Sequence, residues 1–169
     1  WIAMMSPAAI ERVEKISADG RWIPPSLDLK TAVDNSRKDQ TYNTPALSTV
    51  FLTAQTVNWV NENGGLSWSA GRSAKSAEIL YGWAEASPVA SPFVEIESQR
   101  SNVVATIDFD DSVSADTICD VLRANGIGDT TGYRKLGRNQ LRIGMFPAID
   151  PDDTLALTHC LDHVLAALS

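Results

Sequence analysis

Apolar residues recur three or four positions apart at Leu47, Val50, Phe51, Ala54, Val57 and Val60, the spacing of one face of a helix. Thr44 has the chemistry of an N-cap, and Pro45 suits a first helical position, where its missing N–H leaves nothing unpaired. Asn63, Gly64 and Gly65 end the pattern. A second long helix is expected over 67–86, with Ala70, Ala74, Ala77, Leu80, Tyr81 and Ala84 as a narrow stripe whose small residues allow close packing. Ahead of both, Ser6 and Pro7 open a short helix through Ile10, Val13 and Ile16 that closes at Asp19 and Gly20. Residues 21–25 must be extended, because each proline drives the residue before it out of the helical region. Residues 27–39 read as weakly periodic and polar, and their nearly balanced charges suit a solvated face.

Ser87, Pro88, Ser91 and Pro92 interrupt the helical pattern and place a subdomain boundary inside or near the second long helix. Beyond them the order of elements changes. Residues 103–109 are β-branched and aromatic enough for a strand, turned by 110–112. Ser114 caps a helix carrying Ile118, Val121 and Leu122, which Gly126 ends. A loop then leads to a strand over 140–146, stopped by Pro147. Asp150 and Pro151 start a last helix with a stripe of Leu157, Leu161, Val164, Leu165 and Leu168, and Asp152 and Asp153 sit favourably against its positive end. Strand, helix, strand and helix, with room for one more strand in the loop, suggest a small α+β sandwich with its helices on one face of the sheet.

The bulk numbers narrow the function. The 169 residues are 44% apolar, enough for a sizeable core and too many for a disordered chain. The formal charge of −7 argues against a non-specific nucleic-acid surface, so an anionic ligand needs a local cluster of cations. No apolar run approaches the length of a membrane span, and no signal peptide is recognisable. Cys119 and Cys160, each in a predicted helix, read as reduced core residues of a cytosolic protein. Trp1 to Met5 reads as the apolar end of a strand, so the chain is expected to begin within a longer unit.

Candidate chemistry concentrates in two places. The helix start near Thr44 offers an amide from Asn43, a hydroxyl and free backbone N–H groups, a seat for an anion such as phosphate, although an ordinary capped helix needs no ligand. Between Asp129 and Asp150 there is no acidic residue, yet Arg134, Lys135, Arg138 and Arg142 all occur there. Strand alternation puts Leu141, Ile143 and Met145 on one face and Gln140, Arg142 and Gly144 on the other. An arginine in mid-strand opposite the core can fork a carboxylate with two parallel hydrogen bonds; a surface salt bridge is the plainer alternative. The i, i+4 pair His159 and His163 lacks an evident third metal ligand. Asp108, Asp110 and Asp111 lack the glycine and terminal glutamate of a calcium loop and read as strand-end turn residues. Trp59, Trp68 and Trp83 read as packing residues.

The run Asn43, Thr44, Pro45 with its aliphatic helix ending in Asn63, Gly64, Gly65 resembles the phosphoserine aminotransferases, pyridoxal-phosphate enzymes of the aspartate aminotransferase fold. Residues 133–148, from Tyr133-Arg134-Lys135-Leu136-Gly137-Arg138 through Arg142 to Pro147-Ala148, are similar to that family's second signature, especially in actinobacterial members. The resemblance covers nearly the whole chain and corresponds to the C-terminal half of such an enzyme. It implies a fold type I α/β protein: the C-terminal part of the large cofactor-binding domain over 1–70, a linking helix and hinge over 71–92, and a small C-terminal α+β domain over 93–169. It implies pyridoxal 5'-phosphate as cofactor, and glutamate and 3-phosphohydroxypyruvate as substrates. It also implies a cytoplasmic homodimer with active sites at the subunit interface, and no nucleic acid or membrane.

Residue by residue, Arg142 matches the family arginine that binds the substrate α-carboxylate. Asn43 and Thr44 match residues that reach the cofactor phosphate from the neighbouring subunit. Arg134 and Lys135 occupy the loop that holds the substrate's phosphate or side-chain carboxylate, where a histidine and an arginine are usual. The Schiff-base lysine is expected upstream of Trp1, so no catalytic residue is assigned within the chain, and the chain alone is expected to be inactive without the N-terminal half. Two alternatives stay open: another aminotransferase or a desulfurase of the same fold, and a non-enzymatic amino-acid-binding regulatory domain.

Overall fold

The computed structural model describes residues 1–133 and 135–168. The chain divides into two compact units, Trp1–Thr56 and Val57–Ser169.

In the first unit, helix α1 spans Pro7–Ala18, with Pro7 at its start and the Ser6 hydroxyl accepting from the Ala9 N–H at 3.2 Å. Asp19 follows as its C-cap, and Gly20 takes the left-handed conformation at φ 74° that ends the helix. Helix α2, Leu29–Ser36, lies in the segment expected to be a solvated, weakly periodic stretch. Its signal is a cap rather than a stripe: the Asp28 carboxylate accepts from the N–H groups of Lys30 (2.9 Å) and Thr31 (3.3 Å) and from the Thr31 hydroxyl (2.6 Å). The charges are paired rather than merely solvated. Lys30 meets Asp34 one turn on, and Glu14 of α1 receives Arg37 at 3.2 Å and Lys30 at 3.6 Å. Residues 1–6 run without a strand partner, so the strand end expected at Trp1 is not formed.

Helix α3, Leu47–Glu62, crosses the division between the units. It ends where expected: Asn63 donates through its N–H and its side-chain amide to the Trp59 carbonyl (3.2 and 2.8 Å), and Gly64 and Gly65 both have positive φ. No residue of α3 is buried, and Leu47, Phe51 and Leu52 are 75, 60 and 62% exposed.

The second unit holds the core. Helix α4, Gly65–Ala86, is followed by strand β1 (Ala90–Pro92), strand β2 (Val104–Phe109), helix α5 (Ala115–Ala124), strand β3 (Gln140–Gly144) and helix α6 (Pro151–Leu168). The sheet is antiparallel in the order β1-β2-β3, with Ser91 opposite Asp108, Asp108 opposite Gln140 and Thr106 opposite Arg142. The third strand is therefore the short edge strand at Ala90–Pro92, where a proline without an N–H is tolerated. Among the described residues, the loop expected to hold it contributes a single bridge, Thr131 to Leu141. Alternate residues of β2 and β3 (Ala105, Ile107, Phe109, Leu141, Ile143) face a core completed by Leu80, Ile118, Leu122 and Leu161 from the three helices. The expected small sandwich, with helices on one face of the sheet, is what forms.

Two stripes shift in detail. On α4, Ala70 and Ala74 are exposed while Ser73 and Ser76 are buried; Ser73 spends its hydroxyl on the Met145 carbonyl at 2.9 Å, whereas the Ser76 hydroxyl has no partner among the described residues. On α6, Thr154 and Thr158 join Leu161 and Val164 inside, and Leu168 is outside. Cys119 is buried as expected; Cys160 is exposed, not a core residue. Among the described residues, no helix is long and apolar enough to cross a membrane.

Candidate active-site segments

The loop before α3 differs from its expected form. The regular helix starts at Leu47, and the first helical bond runs from the Val50 N–H to the Ala46 carbonyl at 3.0 Å, so Ala46, not Thr44, stands at the cap position. Pro45 holds the chain extended ahead of the helix instead of opening it. The consequence favours ligand binding. Among the described residues, the side chains of Asn43 and Thr44 make no hydrogen bond, and the Thr41 hydroxyl donates to the Asn43 carbonyl at 2.7 Å, bracing the turn. Gln40, Tyr42 and Thr44, with Asp39, line an open pocket of about 650 Å³. Unspent amide and hydroxyl donors beside the free N–H groups of a helix start are a donor set that fits a phosphate group.

The second segment is β3 and the loop leading into it. Arg142 lies on the sheet face opposite the helices, half-buried, with its backbone N–H donating to the Thr130 carbonyl at 2.9 Å. Among the described residues its guanidinium meets no carboxylate, and it lies 6.0 Å from the centre of the Tyr133 ring. Gly132 makes that neighbour possible: a Cβ there would lie 2.8 Å from the Gln140 carbonyl oxygen, so only glycine lets the loop run this close to β3. Lys135 is exposed. Arg134, the other residue expected to contact the substrate, lies outside the described residues.

The remaining cation of the cluster is not free. Arg138 pairs with Asp108 through both Nε, at 3.1 Å, and Nη2, and its guanidinium stacks over the Phe93 ring at 4.9 Å. The hydrogen bond from Arg138 to Asp108 raises the guanidinium pKa above its ordinary value. Asp108 also accepts from the Gln140 amide at 2.7 Å. Asp108 therefore acts inside the strand as a charge partner, whereas Asp110 is the turn residue, bonded to the Ser112 N–H at 2.9 Å. The sequence signal for this network was the alternation of β2, which puts Asp108 on the face of Thr106; the cross-strand register that brings it to Gln140 was not readable. Asn139 organises the same loop, accepting from the Ala115 N–H at 2.8 Å and donating to the Val113 carbonyl at 2.7 Å.

The predicted site residues thus fall into two sets, Asn43 and Thr44 in one unit and Arg142 and Lys135 in the other. His159 and His163 are exposed on α6, and no group of three or more metal-ligating side chains occurs among the described residues. Trp59 and Trp68 meet edge to face at 5.1 Å, and the Trp83 indole N–H donates to Asp162 at 2.7 Å, both packing roles.

No family model matches the chain. The fold is that of the C-terminal part of pyridoxal-phosphate-dependent aminotransferases. The phosphoserine aminotransferase of Cytophaga hutchinsonii superposes with a TM-score of 0.83 at 20% identity, over 94% of this chain and 43% of that one. The pyridoxal-phosphate-bound phosphoserine aminotransferase of Trichomonas vaginalis superposes with a TM-score of 0.68 at 16% identity, over 83% and 39%. Sequence similarity is closer. The chain is 58% identical over 168 residues to the phosphoserine aminotransferase of Rhodococcus jostii, and 55% identical to a putative phosphoserine aminotransferase of Mycolicibacterium vanbaalenii, in both cases over 99% of this chain and 45% of the relative. The chain is a homologue of the phosphoserine aminotransferases, matching their C-terminal part and spanning less than half the length of these relatives.

Proposed function

We propose that this chain forms the substrate-carboxylate arm and part of the cofactor-phosphate seat of a pyridoxal-phosphate-dependent phosphoserine aminotransferase. The reaction moves an amino group between glutamate and 3-phosphohydroxypyruvate, giving 2-oxoglutarate and phosphoserine, in cytoplasmic serine biosynthesis. The observation that carries the reading is Arg142: in a chain 58% identical to a phosphoserine aminotransferase, it is a mid-strand guanidinium with no carboxylate partner among the described residues. Its planar fork matches an α-carboxylate bidentately, which fixes the substrate's orientation as well as its affinity.

Asn43 and Thr44 donate to the cofactor phosphate of the neighbouring subunit in a homodimer, and Lys135 with Arg134 adds positive charge for the substrate's second anionic group. Pyridoxal phosphate, when bound, supplies the electron sink for the reaction; these residues bind and orient. Residues 1–70 belong to the large domain, and 71–92 link it to the small domain of 93–169, whose core and sheet α4 and β1 help to complete. The N-terminal part of the enzyme brings the cofactor-bearing lysine and covers the apolar residues of α3, among them Leu47, Phe51 and Leu52, that stand exposed here.

The test is a chimera in which this chain replaces the matching C-terminal segment of the Rhodococcus jostii enzyme. We expect amino transfer from glutamate to 3-phosphohydroxypyruvate in preference to oxaloacetate or pyruvate, and none from the 169-residue chain alone. A chimera that folds and binds pyridoxal phosphate but prefers a keto acid without a phosphate overturns the substrate assignment.

A further inference from the structure

Arg142 is available only if nothing on its own sheet face neutralises it, and one residue is placed to do so. Antiparallel partners share a face, so Thr106 and Asp108 of β2 stand beside Arg142 and Gln140 of β3. Asp108 is offset from Arg142 by two residues across the strand pair, a diagonal of roughly 7–8 Å between backbones that long side chains bridge readily. On strand register alone, the plain outcome would be an Asp108–Arg142 ion pair.

The geometry shows why that pair does not form. Arg138 takes Asp108 from the loop side through Nε and Nη2, and the Phe93 ring under its guanidinium holds it there. Gln140, directly opposite Asp108 and buried, donates to the carboxylate's other oxygen at 2.7 Å. A carboxylate accepts only, so the Gln140 amide nitrogen must be the end that faces it. Both oxygens of Asp108 are thus engaged.

We infer that Arg138 and Gln140 are positioning residues that sequester Asp108 and so keep Arg142 free for a substrate carboxylate. This rests on the reading of Arg142 given above, and deepens it: affinity at the site depends on a second arginine that itself takes no part in substrate contact. In Arg138→Met the stem can still lie on Phe93, but Asp108 loses its cationic partner and swings to Arg142, competing with the incoming carboxylate.

The experiment measures glutamate KM and kcat in the chimera, for Arg138→Met, Arg138→Lys and the double variant Arg138→Met/Asp108→Asn, with Arg142→Ala as reference. Arg138→Met is expected to raise KM by about twofold to fivefold, the scale of one partly exposed ion pair, with kcat nearly unchanged. Arg138→Lys, which can still pair with Asp108, stays near the starting KM, and the double variant returns to it because no carboxylate is left to compete. A KM unchanged in Arg138→Met, or a rise that the double variant fails to reverse, overturns the inference while a raised KM in Arg142→Ala leaves the carboxylate reading standing. An Arg142→Ala variant with unchanged KM overturns both. Independently of activity, the arginine Nε–H resonances of the 169-residue chain report the same event: the Arg142 signal moves in Arg138→Met and returns in the double variant, and an unmoved signal counts against the switch of partners.

Discussion

Residues 57–169 and the helix that leads into them treat hydrophobic residues in opposite ways. In the sandwich, Leu80, Ile107, Ile118, Leu141 and Leu161 are fully buried among the three helices and one face of the sheet. In residues 1–56, Val13 is the one buried hydrophobic residue among those described, while Trp1, Ile2, Met4, Trp22, Phe51 and Leu52 stand exposed. The local rules are obeyed equally well in both regions: Ser6 caps α1 as Ser114 caps α5, with side-chain bonds of 3.2 Å each. The difference teaches that caps and periodicity create elements, whereas burial depends on whether the opposing surface belongs to the same chain.

The comparison can be broken most decisively at the site. In the chimera, Arg142→Ala is expected to lower kcat/KM for glutamate on the order of 10²-fold, because truncating one side of a desolvated charge pair leaves the other unpaired; a loss below threefold would remove the sandwich's claim to a substrate role. Next in size is stability. Leu141→Ala should cost about 3 kcal/mol in denaturant unfolding of the 169-residue chain, by loss of buried methyl groups and the cavity left behind. Leu52→Ser on exposed α3 should change that unfolding by less than about 0.5 kcal/mol. Equal costs for the two would mean that α3 is already covered in the isolated chain.

A smaller effect separates the caps. Ser114→Ala should lower the unfolding free energy of the sandwich by about 1 kcal/mol. Ser6→Ala should reduce the helicity of residues 7–18 without moving the midpoint reported by Trp83, which packs against the core.

Acid offers a further contrast. Thr31 and the N–H groups it shares with Lys30 hold the Asp28 carboxyl below its ordinary value of 3.8, and Lys30 does the same for Asp34. A carboxyl whose folded pKa is depressed contributes stability that is present above the unfolded value and lost as pH falls through the folded one. The α1–α2 pair should therefore lose helical amide signals below about pH 4, and Asp28→Asn should flatten that transition; an unchanged profile would show that the cap does not govern it. The smallest perturbation is thiol labelling. Exposed Cys160 should react with iodoacetamide in the folded chain, while Cys119, buried and with its thiol pushed upward by that burial, should react only on unfolding.

Most of the element order was legible, because capping and stop signals act within a few residues. Ser6-Pro7, Ser114, Asp150-Pro151, Gly64-Gly65 and Gly126 all mark boundaries seen in the structure. What escaped was short or depended on partners. Helix α2 has only eight residues, too few for an apolar stripe, and β1 has three, with a proline that argues against a strand until its edge position is known. Thr44 has the chemistry of a cap, yet the helix starts at Leu47 with Ala46 at the cap position; the extended backbone that Pro45 imposes on Thr44 suits either start, so the sequence did not separate them. At the site, the sequence presented four cations in a run free of acids, and Arg142 on the polar face of its strand. It did not reveal that Arg138 is spent on an aspartate thirty residues earlier.

The sequence by itself determined the longer helices, strands β2 and β3, the inward face of β3 and the homology that frames the chain's chemistry, because these follow from local periodicity, capping and residue identity. Only the tertiary structure decided that Arg138 is spent on Asp108 while Arg142 meets no carboxylate among the described residues. The hold of Arg138 and Gln140 on Asp108 depends on cross-strand register, and a shift of one residue in that register would turn every side chain of β3 to the other face.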